Sequence, residues 1–398
     1  MDEVVALRVR PEPTRVPLLA KGFRPFFLLA AAWAAVAVPL WLGVLGGHVA
    51  VGAYAAPAFW HAHEMVFGFA TAVVAGFLLT AAGNWTHRET ATGLPLLGLA
   101  LLWVAGRVAL LVSSSLPPVL VAAINLAFIP ALALAVGRVV FAAKSRRNYA
   151  FVLVLAALWA AQLVVHLDAL GLAPGGQRNG TLAGVDLLIL LVLVVGGRVI
   201  PMFTRNATGA VVRHVRPLDA AAIASVAALA ILDAAGATGR LPAAVAGAAA
   251  LFSAGRALRW GGTKAVGEPL LWVLHLGYAW VPIGLALRAL SAFVPAIAPS
   301  LATHALTVGA LGTITLGMMV RVALGHTGRA LRSTSPTTIA FVSISLAALA
   351  RLLAPLSGPA AWLPSLHLAG TLWALAFVLY LVSIGPMLLR TRADGRPG

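Results

Sequence analysis

The stretch FWHAHEMVFGFATAVVAGFLLTAAG, from Phe59 to Gly83, holds two histidines and a glutamate followed by an uncharged apolar run. That run is about 20 residues long, which is the length that an α-helix needs to cross the hydrocarbon core of a bilayer. Similar runs recur from Arg24 to Arg390, separated by short loops rich in proline, glycine and arginine. The pattern predicts an all-α fold, a polytopic bundle of transmembrane helices.

The composition of the chain agrees with a membrane protein. Of the 398 residues, 61% are hydrophobic and 10% are charged, whereas a soluble globular domain carries roughly 25% charged residues. We therefore predict a cytoplasmic N-terminal tail (1–23), a single transmembrane domain (24–390) and a cytoplasmic C-terminal tail (391–398). The N-terminal tail lacks the apolar core and the small-residue cleavage site of a signal peptide, so we expect it to be retained.

Twelve transmembrane helices are predicted from the apolar runs. The predicted spans are 24–45, 58–82, 94–112, 117–141, 149–170, 181–203, 217–236, 241–258, 268–291, 301–323, 336–355 and 364–388. If the N-terminus is cytoplasmic, the loops on the opposite side hold only Arg178 and Arg240, while the cytoplasmic loops are strongly basic. This bias follows the positive-inside rule and predicts that both termini are cytoplasmic. The net charge of +17 thus reports topology and gives no indication of a nucleic-acid partner.

The chain contains no cysteine. This excludes disulfides, iron–sulfur clusters, thiolate-ligated haem and covalently attached c-type haem. Any metal centre must therefore be built from histidine, methionine, carboxylate or tyrosine side chains.

Five histidines fall at outer ends of predicted helices. They are His61 and His63 in helix 2, His166 in helix 5, His304 in helix 10 and His367 in helix 12. Each alone can be explained as a hydrogen-bonded polar residue between helices. Five at one depth, without any cysteine, favour a metal or haem centre, because polar groups inside a bilayer are costly. Imidazole binds copper, zinc and iron, so the residue type leaves the metal open.

Helical geometry separates His61 from His63. Successive residues advance by about 100°, so the two side chains point to opposite sides of helix 2 and cannot chelate one ion. Either they serve two centres, or one is a ligand and the other has a structural or proton-transfer role. The same rotation predicts that Glu64 and Met65 share the face of His61.

Two other histidines are candidates outside this outer set. His275 lies deeper, on the inner side of helix 9, and His326 follows Gly325, which we interpret as the end of helix 10. His304 and His326 are too far apart along one helix to share a centre.

Carboxylates also fall toward outer helix ends. Glu64 and Asp168 each lie within three residues of a histidine, so they are candidate catalytic groups for proton transfer. Asp233 is interpreted instead as a solvated helix end.

Three arginines reach the outer half of the predicted bundle. Arg107 and Arg351 lie several residues short of the interface and need an anionic partner, either a haem propionate or one of the carboxylates. Arg288 can reach the interface by snorkelling. All three are candidate cofactor-binding residues.

Several long segments, in order, resemble the NnrS family of nitric-oxide-response membrane proteins. They are KGFRPFFLLAA, WHAHEMVFGFATAVVAGFLLTAAGNWT, GGRVIPMFT, LWVLHLGYAW and HALTVGALGTITLGMMVRVALGHTGR, which together span the chain from about Lys21 to Arg390. The resemblance implies a twelve-helix protein of the bacterial inner membrane that binds haem and copper and protects the cell from nitric oxide during denitrification or nitrosative stress. The implied site residues are His61, His63, Glu64, His275, His304 and His326.

The leading hypothesis is a haem and copper protein that binds nitric oxide in the outer half of the bundle and sequesters it or reduces it. Reduction would require electrons through b-type haem, from quinol or from an external redox protein. The alternative is a transporter or metal-delivery protein whose histidines line a pathway for copper or another solute. A pathway should place ligands at successive depths, whereas a catalytic centre should gather them at one depth. A purely structural role is a third reading.

Overall fold

The structure, a computed structural model, describes residues 16–52 and 54–396, so most of the predicted N-terminal tail and the last two residues lie outside the described residues. Over the described residues the chain is helical and forms no strand. Twelve long helices, α1 to α12, are Phe23–Leu45, Pro57–Thr86, Gly93–Leu111, Pro118–Ala142, Tyr149–Ala169, Gly176–Thr208, Arg216–Ala234, Arg240–Ala257, Pro269–Ser291, Pro299–His326, Ser335–Leu353 and Pro359–Ser383. A short helix α13, Gly385–Leu388, follows them.

Several helices are longer than the predicted spans. Helix α2 continues to Thr86 instead of 82, α6 covers 176–208 instead of 181–203, and α12 begins at Pro359 instead of 364. The apolar run marks only the part of a helix that lies in hydrocarbon. Backbone hydrogen bonding continues into the interface, where polar residues are tolerated.

Eleven helices of the described chain are long and apolar enough to cross a membrane. The remaining helix, α8, has 18 residues and carries Arg240 and Arg256 near its two ends. It packs against α7 and α9, and its length of about 27 Å is close to the thickness of the hydrocarbon core. Arg256 Nε lies 2.6 Å from Asp219 in the first turn of α7, so α7 and α8 are antiparallel neighbours.

The start of α1 and the end of the chain meet at one end of the bundle. Arg24 Nη1 in α1 donates to the carbonyl oxygens of Leu388 and Arg390, at 2.9 and 2.7 Å. Beside them, Arg392 Nη1 donates to the carbonyl oxygen of His326 at 2.7 Å. The first turn of α1, the last turn of α10 and the segment after α12 therefore share one level.

Two helices contain a π-helical segment. It covers Glu64–Ala70 in α2 and Ala305–Gly312 in α10, and each segment begins directly after a histidine of the outer set. The apolar periodicity predicted ordinary α-helices here. A π-turn widens the helix and re-aims the side chains around it, and such turns are frequent at functional sites. In α2 the carbonyl oxygen of Gly68 accepts a hydrogen bond from Trp103 Nε1 at 3.0 Å, which ties the widened turn to α3.

Candidate functional site

His61 and His63 lie on different sides of α2, as the helical rotation predicts. The ring of His61 stacks on Trp41 of α1, with centroids 4.8 Å apart and planes 9° apart. The ring of His63 is fully buried and faces α5, where it contacts His166 and Gln162. The two histidines therefore belong to two separate polar sites.

The first site is a cavity of about 410 Å³ between α1, α2, α10, α11 and α12, which we call the outer cavity. Its polar lining consists of His61, His304, Thr307 and Arg351, and its walls are mainly aliphatic or aromatic. The larger wall side chains include Trp41, Met65, Phe69, Trp362 and Trp373. The cavity is thus an apolar space with two imidazoles and one guanidinium facing into it.

The polar groups of the outer cavity have unused bonding capacity. His304 Nδ1 lies 2.7 Å from the carbonyl oxygen of Ser300. Because a carbonyl oxygen only accepts, Nδ1 carries the proton, and the lone pair of Nε2 remains available to a ligand. His61 Nδ1 and Arg351 Nη1 are buried and have no hydrogen-bond partner among the described residues. Buried polar atoms are normally bonded, so these atoms are candidate ligand-binding groups.

The second site is a buried chain of polar contacts around His63. His63 Nδ1 lies 3.2 Å from Glu64 Oε1, and Glu64 Oε2 lies 2.7 Å from Arg107 Nε. Arg107 Nη2 donates in turn to Asn125 Oδ1 at 2.9 Å. All four side chains are almost completely buried. Of the two anionic partners considered for Arg107, the structure therefore supplies the carboxylate.

The position of Glu64 corrects the prediction that it shares the face of His61. Met65 lines the outer cavity with His61, but Glu64 contacts His63. His63, its neighbour in the chain, and Arg107 of α3 together hold the carboxyl group of Glu64 on that side of α2. Regular α-helical spacing could not show this.

His63 and His166 face one another between α2 and α5. Their ring centroids are 5.0 Å apart at an interplanar angle of 70°. Gln162 Nε2 lies 3.3 Å from His63 Nε2, so with the proton of His63 on Nδ1 the amide donates to Nε2. His166 Nε2 is buried and has no hydrogen-bond partner among the described residues. The pair therefore presents two imidazoles to one small space.

A loop residue completes this second site. The hydroxyl oxygen of Tyr54, in the loop before α2, lies 2.9 Å from His166 Nδ1. Burial raises the pKa of Tyr54 to about 12, so the phenol keeps its proton over the physiological pH range. When His166 carries its proton on Nδ1, the phenol oxygen accepts it and Nε2 is left with a free lone pair.

The side chains that could hold a metal ion are the buried histidines and carboxylates. Within residues 16–52 and 54–396, no group of three or more histidine, aspartate and glutamate side chains is arranged to hold an ion. The His63 and His166 pair offers two nitrogen ligands, and metal–nitrogen bonds of about 2.0–2.1 Å are compatible with rings this close. A pair of imidazoles fits an ion that keeps open positions for small molecules.

Arg288 lies in a third polar cluster, away from the outer cavity. Its Nη1 is 3.2 Å from Asp186 Oδ2 and its Nη2 is 2.5 Å from Asp233 Oδ1, which joins α6, α7 and α9. The interpretation of Asp233 as a solvated helix end is wrong, because the residue is 1% exposed. Two carboxylates already occupy Arg288, so the geometry does not support its predicted role as a cofactor ligand.

The structure does not bring Asp168 to the buried histidines. Its Oδ2 accepts a hydrogen bond from the backbone N–H of Gln177 at 2.8 Å, at the start of α6. Asp168 follows His166 by two positions, which is a rotation of about 200°, so the two side chains diverge. Its contact is that of a helix cap, and the predicted catalytic role has no support in the geometry.

The inner histidines are separate from both outer sites. His275 Nε2 lies 2.8 Å from Thr204 Oγ1. His326 packs on the ring of Phe23, with centroids 5.6 Å apart, and is the last residue of α10, so the helix continues past Gly325, which the sequence indicates as its end. His367, the fifth histidine of the predicted outer set, is exposed on α12.

Sequence reasoning missed four of the residues that shape these sites. Gln162 and Asn125 are amides inside apolar helices, and the spacing of Gln162 from His166, one helical turn, was a usable signal. Tyr54 comes from a loop and Trp41 from another helix. Nothing local to the histidines indicates either contact.

Comparison with known proteins gives one result. A family model described as NnrS protein matches residues 17–392, which is nearly the whole chain. No curated protein matches the chain.

Proposed function

The chain belongs to the NnrS family, and from this premise we propose that it is a haem and copper membrane protein that binds nitric oxide and protects the cell from it. Membership of the family points to a membrane protein of the nitric-oxide response. The proposal rests on one observation. Two imidazole pairs, each with an unbonded ring nitrogen, share helix α2, which supplies one histidine to each pair, while α10 supplies the second histidine of one pair and α5 that of the other.

The outer cavity is the proposed haem site. Its apolar walls suit a porphyrin ring, His61 and His304 are the candidate nitrogen ligands for the iron, and Arg351 would pair with a propionate. The Nδ1–H bond from His304 to Ser300 holds the imidazole in the orientation and tautomer that a ligand needs. When bound, haem iron would supply a binding position for nitric oxide and one-electron chemistry. Nitric oxide is small and apolar, so it can reach this cavity from the lipid without a polar channel.

The pair of His63 and His166 is the proposed copper site. Tyr54 and Glu64 contact the Nδ1 atoms of the two rings, so Nε2 of each ring is the candidate copper ligand; on His63, copper would take the place of the amide of Gln162. These contacts lie in a region without solvent, where a metal ligand is held rigidly.

Glu64 is the proposed proton-transfer group. Its Oε1 lies 3.2 Å from His63 Nδ1, close to the distance over which a carboxyl group and an imidazole exchange a proton. Arg107 balances the carboxylate charge at Oε2. Reduction of two nitric oxide molecules to nitrous oxide and water consumes two electrons and two protons. The electrons would come from quinol or from an external redox protein.

We also propose a bacterial inner-membrane topology of twelve crossings with both termini in the cytoplasm. The contacts of Arg24 with Leu388 and Arg390 support it. They bring the start of the first helix and the end of the last helix to the same side of the bundle, and a chain that begins and ends on one side crosses the membrane an even number of times. With eleven apolar helices, α8 would be the twelfth crossing. Its antiparallel ion pair with α7 supports this role.

An optical spectrum of the purified protein tests the function. We expect a Soret band from haem, a shift of that band when nitric oxide is added under reducing conditions, and copper in the metal analysis. Metal-replete protein that neither binds nor consumes nitric oxide would overturn the proposal. Copper uptake by proteoliposomes in the absence of any haem spectrum would favour the metal-delivery alternative.

A further inference from the structure

A second large cavity lies at the other end of the bundle. It has a volume of about 520 Å³, and it lies between α2, α5, α6 and α10; we call it the inner cavity. His326 lines it, which places it at the end of the bundle where Arg24 and Arg392 hold the last residues of the chain. Neither the proposed haem site nor the proposed copper site uses it.

Two arginines give the inner cavity a strong positive charge. Arg147, in the turn just before α5, and Arg198, in α6, both line it, and no acidic residue among those described does. Neither forms an ion pair with a carboxylate of the described residues. Arg147 is exposed and Arg198 is partly buried, so the two charges lie at the surface end of the cavity, where basic side chains attract anionic head groups.

The neighbouring cleft does not supply an anionic partner for these arginines. Arg147 and Arg198 also line a smaller space of about 370 Å³ on the other side of α6, together with Asp219. Asp219 is already bound to Arg256, at 2.6 Å, and lies 3.8 Å from His214. The basic character therefore extends across both spaces.

The rest of the inner cavity is apolar. Arg198 lies over the ring of Phe151 at 5.7 Å, and Phe151 stacks on Trp85 with centroids 4.9 Å apart. Deeper in the membrane the cavity is lined by Val195, Val199 and Met318, which also line a narrow apolar space in the middle of the bundle. A ligand that fills this shape must have an anionic head at the membrane surface and an apolar chain directed inward.

We propose that the inner cavity binds an anionic phospholipid of the adjacent leaflet. Its phosphate would lie between Arg147 and Arg198, and an acyl chain would follow Val199 and Met318. Basic pockets between transmembrane helices on the cytoplasmic side are known to take anionic lipid head groups. Free phosphate would neutralise the arginines but would leave the apolar part of the cavity unfilled. This site is independent of the proposed nitric oxide chemistry.

Native mass spectrometry of the delipidated full-length protein tests the proposal, with phosphatidylglycerol or phosphatidylcholine added back. We expect selective retention of phosphatidylglycerol, and a roughly thirtyfold weaker retention in Arg147→Gln/Arg198→Gln, because each arginine adds to the attraction for an anionic lipid. The matched control is Arg259→Gln/Arg332→Gln, which removes two exposed cations outside the cavity. The control should bind as the unchanged protein does, and Arg147→Lys/Arg198→Lys should keep most of the binding.

Four outcomes would overturn the proposal. They are equal phosphatidylglycerol retention by the glutamine variant, an equal loss in the control, displacement of the lipid by inorganic phosphate at similar concentration, or a loss of haem in place of lipid. The last would mean that the cavity holds the carboxylates of a cofactor. Size-exclusion chromatography establishes that each variant is folded before lipid is added.

Discussion

The imidazole rings of His63 and His166 lie 5.0 Å apart, on α2 and α5, while His61, two positions before His63, lines a cavity with His304. One turn of α2 thus serves two sites with different partners. The outer cavity is open and apolar, whereas the space between His63 and His166 is small and enclosed by polar contacts. The two sites can therefore be tested separately by single substitutions.

Replacing either histidine of the outer cavity should remove haem. We expect His61→Ala and His304→Ala each to lose most of the Soret absorbance per protein, because each removes one of the two ring nitrogens that face the cavity. His367→Ala is the matched control, since that histidine is exposed on α12 at a similar depth. Equal haem content in the three variants would contradict this assignment.

Replacing either histidine of the enclosed pair should remove copper and leave haem. His63→Ala and His166→Ala are each expected to lower the affinity for copper at least about tenfold. Among the described residues, these two ring nitrogens are the only protein ligands proposed for the ion, so each variant loses half of them. Inductively coupled plasma analysis and the haem spectrum are measured on the same sample. If copper is lost in His61→Ala or His304→Ala instead, the assignment of the two metals to the two sites is reversed.

Glu64→Gln should separate binding of nitric oxide from its turnover. The amide keeps the shape of the carboxyl group but cannot exchange a proton with His63, so nitrous oxide production should fall by about 10²- to 10⁴-fold. The spectral shift with nitric oxide should remain. Because the variant leaves Arg107 without its carboxylate, Glu64→Gln/Arg107→Gln serves as the charge-balanced partner and should show the same loss. Unchanged turnover in both would remove Glu64 from the proton route.

Arg288→Ala should destabilise the protein without changing haem. It leaves Asp186 and Asp233 buried without their cation, and breaking a buried ion pair in this way costs about 3–5 kcal/mol. Thermal unfolding, monitored by tryptophan fluorescence, measures the loss of stability relative to the unchanged protein. Asp186→Asn/Asp233→Asn/Arg288→Ala removes all three charges and should recover part of the loss. A variant that loses haem but keeps its melting temperature would restore the cofactor role first predicted for Arg288.

Tyr54 should make the protein sensitive to alkali. Burial raises the pKa of its phenol from 10.0 to about 12, so the native state favours the protonated form. This contribution is complete below pH about 10 and is lost as pH rises toward about 12. Melting temperatures of the unchanged protein and of Tyr54→Phe, compared over this interval, should converge as the phenol of the unfolded chain ionises. Parallel curves would show that the phenol is not held neutral.

Local pattern was enough for much of the fold. The apolar runs located all twelve long helices, and the 100° rotation separated His61 from His63 before any contact was known. The same rotation did not predict the partner of Glu64, at the start of the π-helical segment. Glu64 lies with His63 and Arg107, and no composition signal marks the π-helical segment that begins there.

The sequence by itself determined the all-helical class of the protein and the positions of the long helices, because a bilayer imposes an apolar length on every crossing. Only the tertiary structure decided the partners. His166 could face His63 or His61, and Arg107 could bind a propionate or a carboxylate. Likewise, Asp168 could face a histidine or cap α6. Each choice depends on which helix faces pack together across the bundle. That packing brings together residues that are far apart in the chain, such as Glu64 with Arg107 and Asp186 with Arg288. A periodic pattern within one helix therefore cannot predict these contacts.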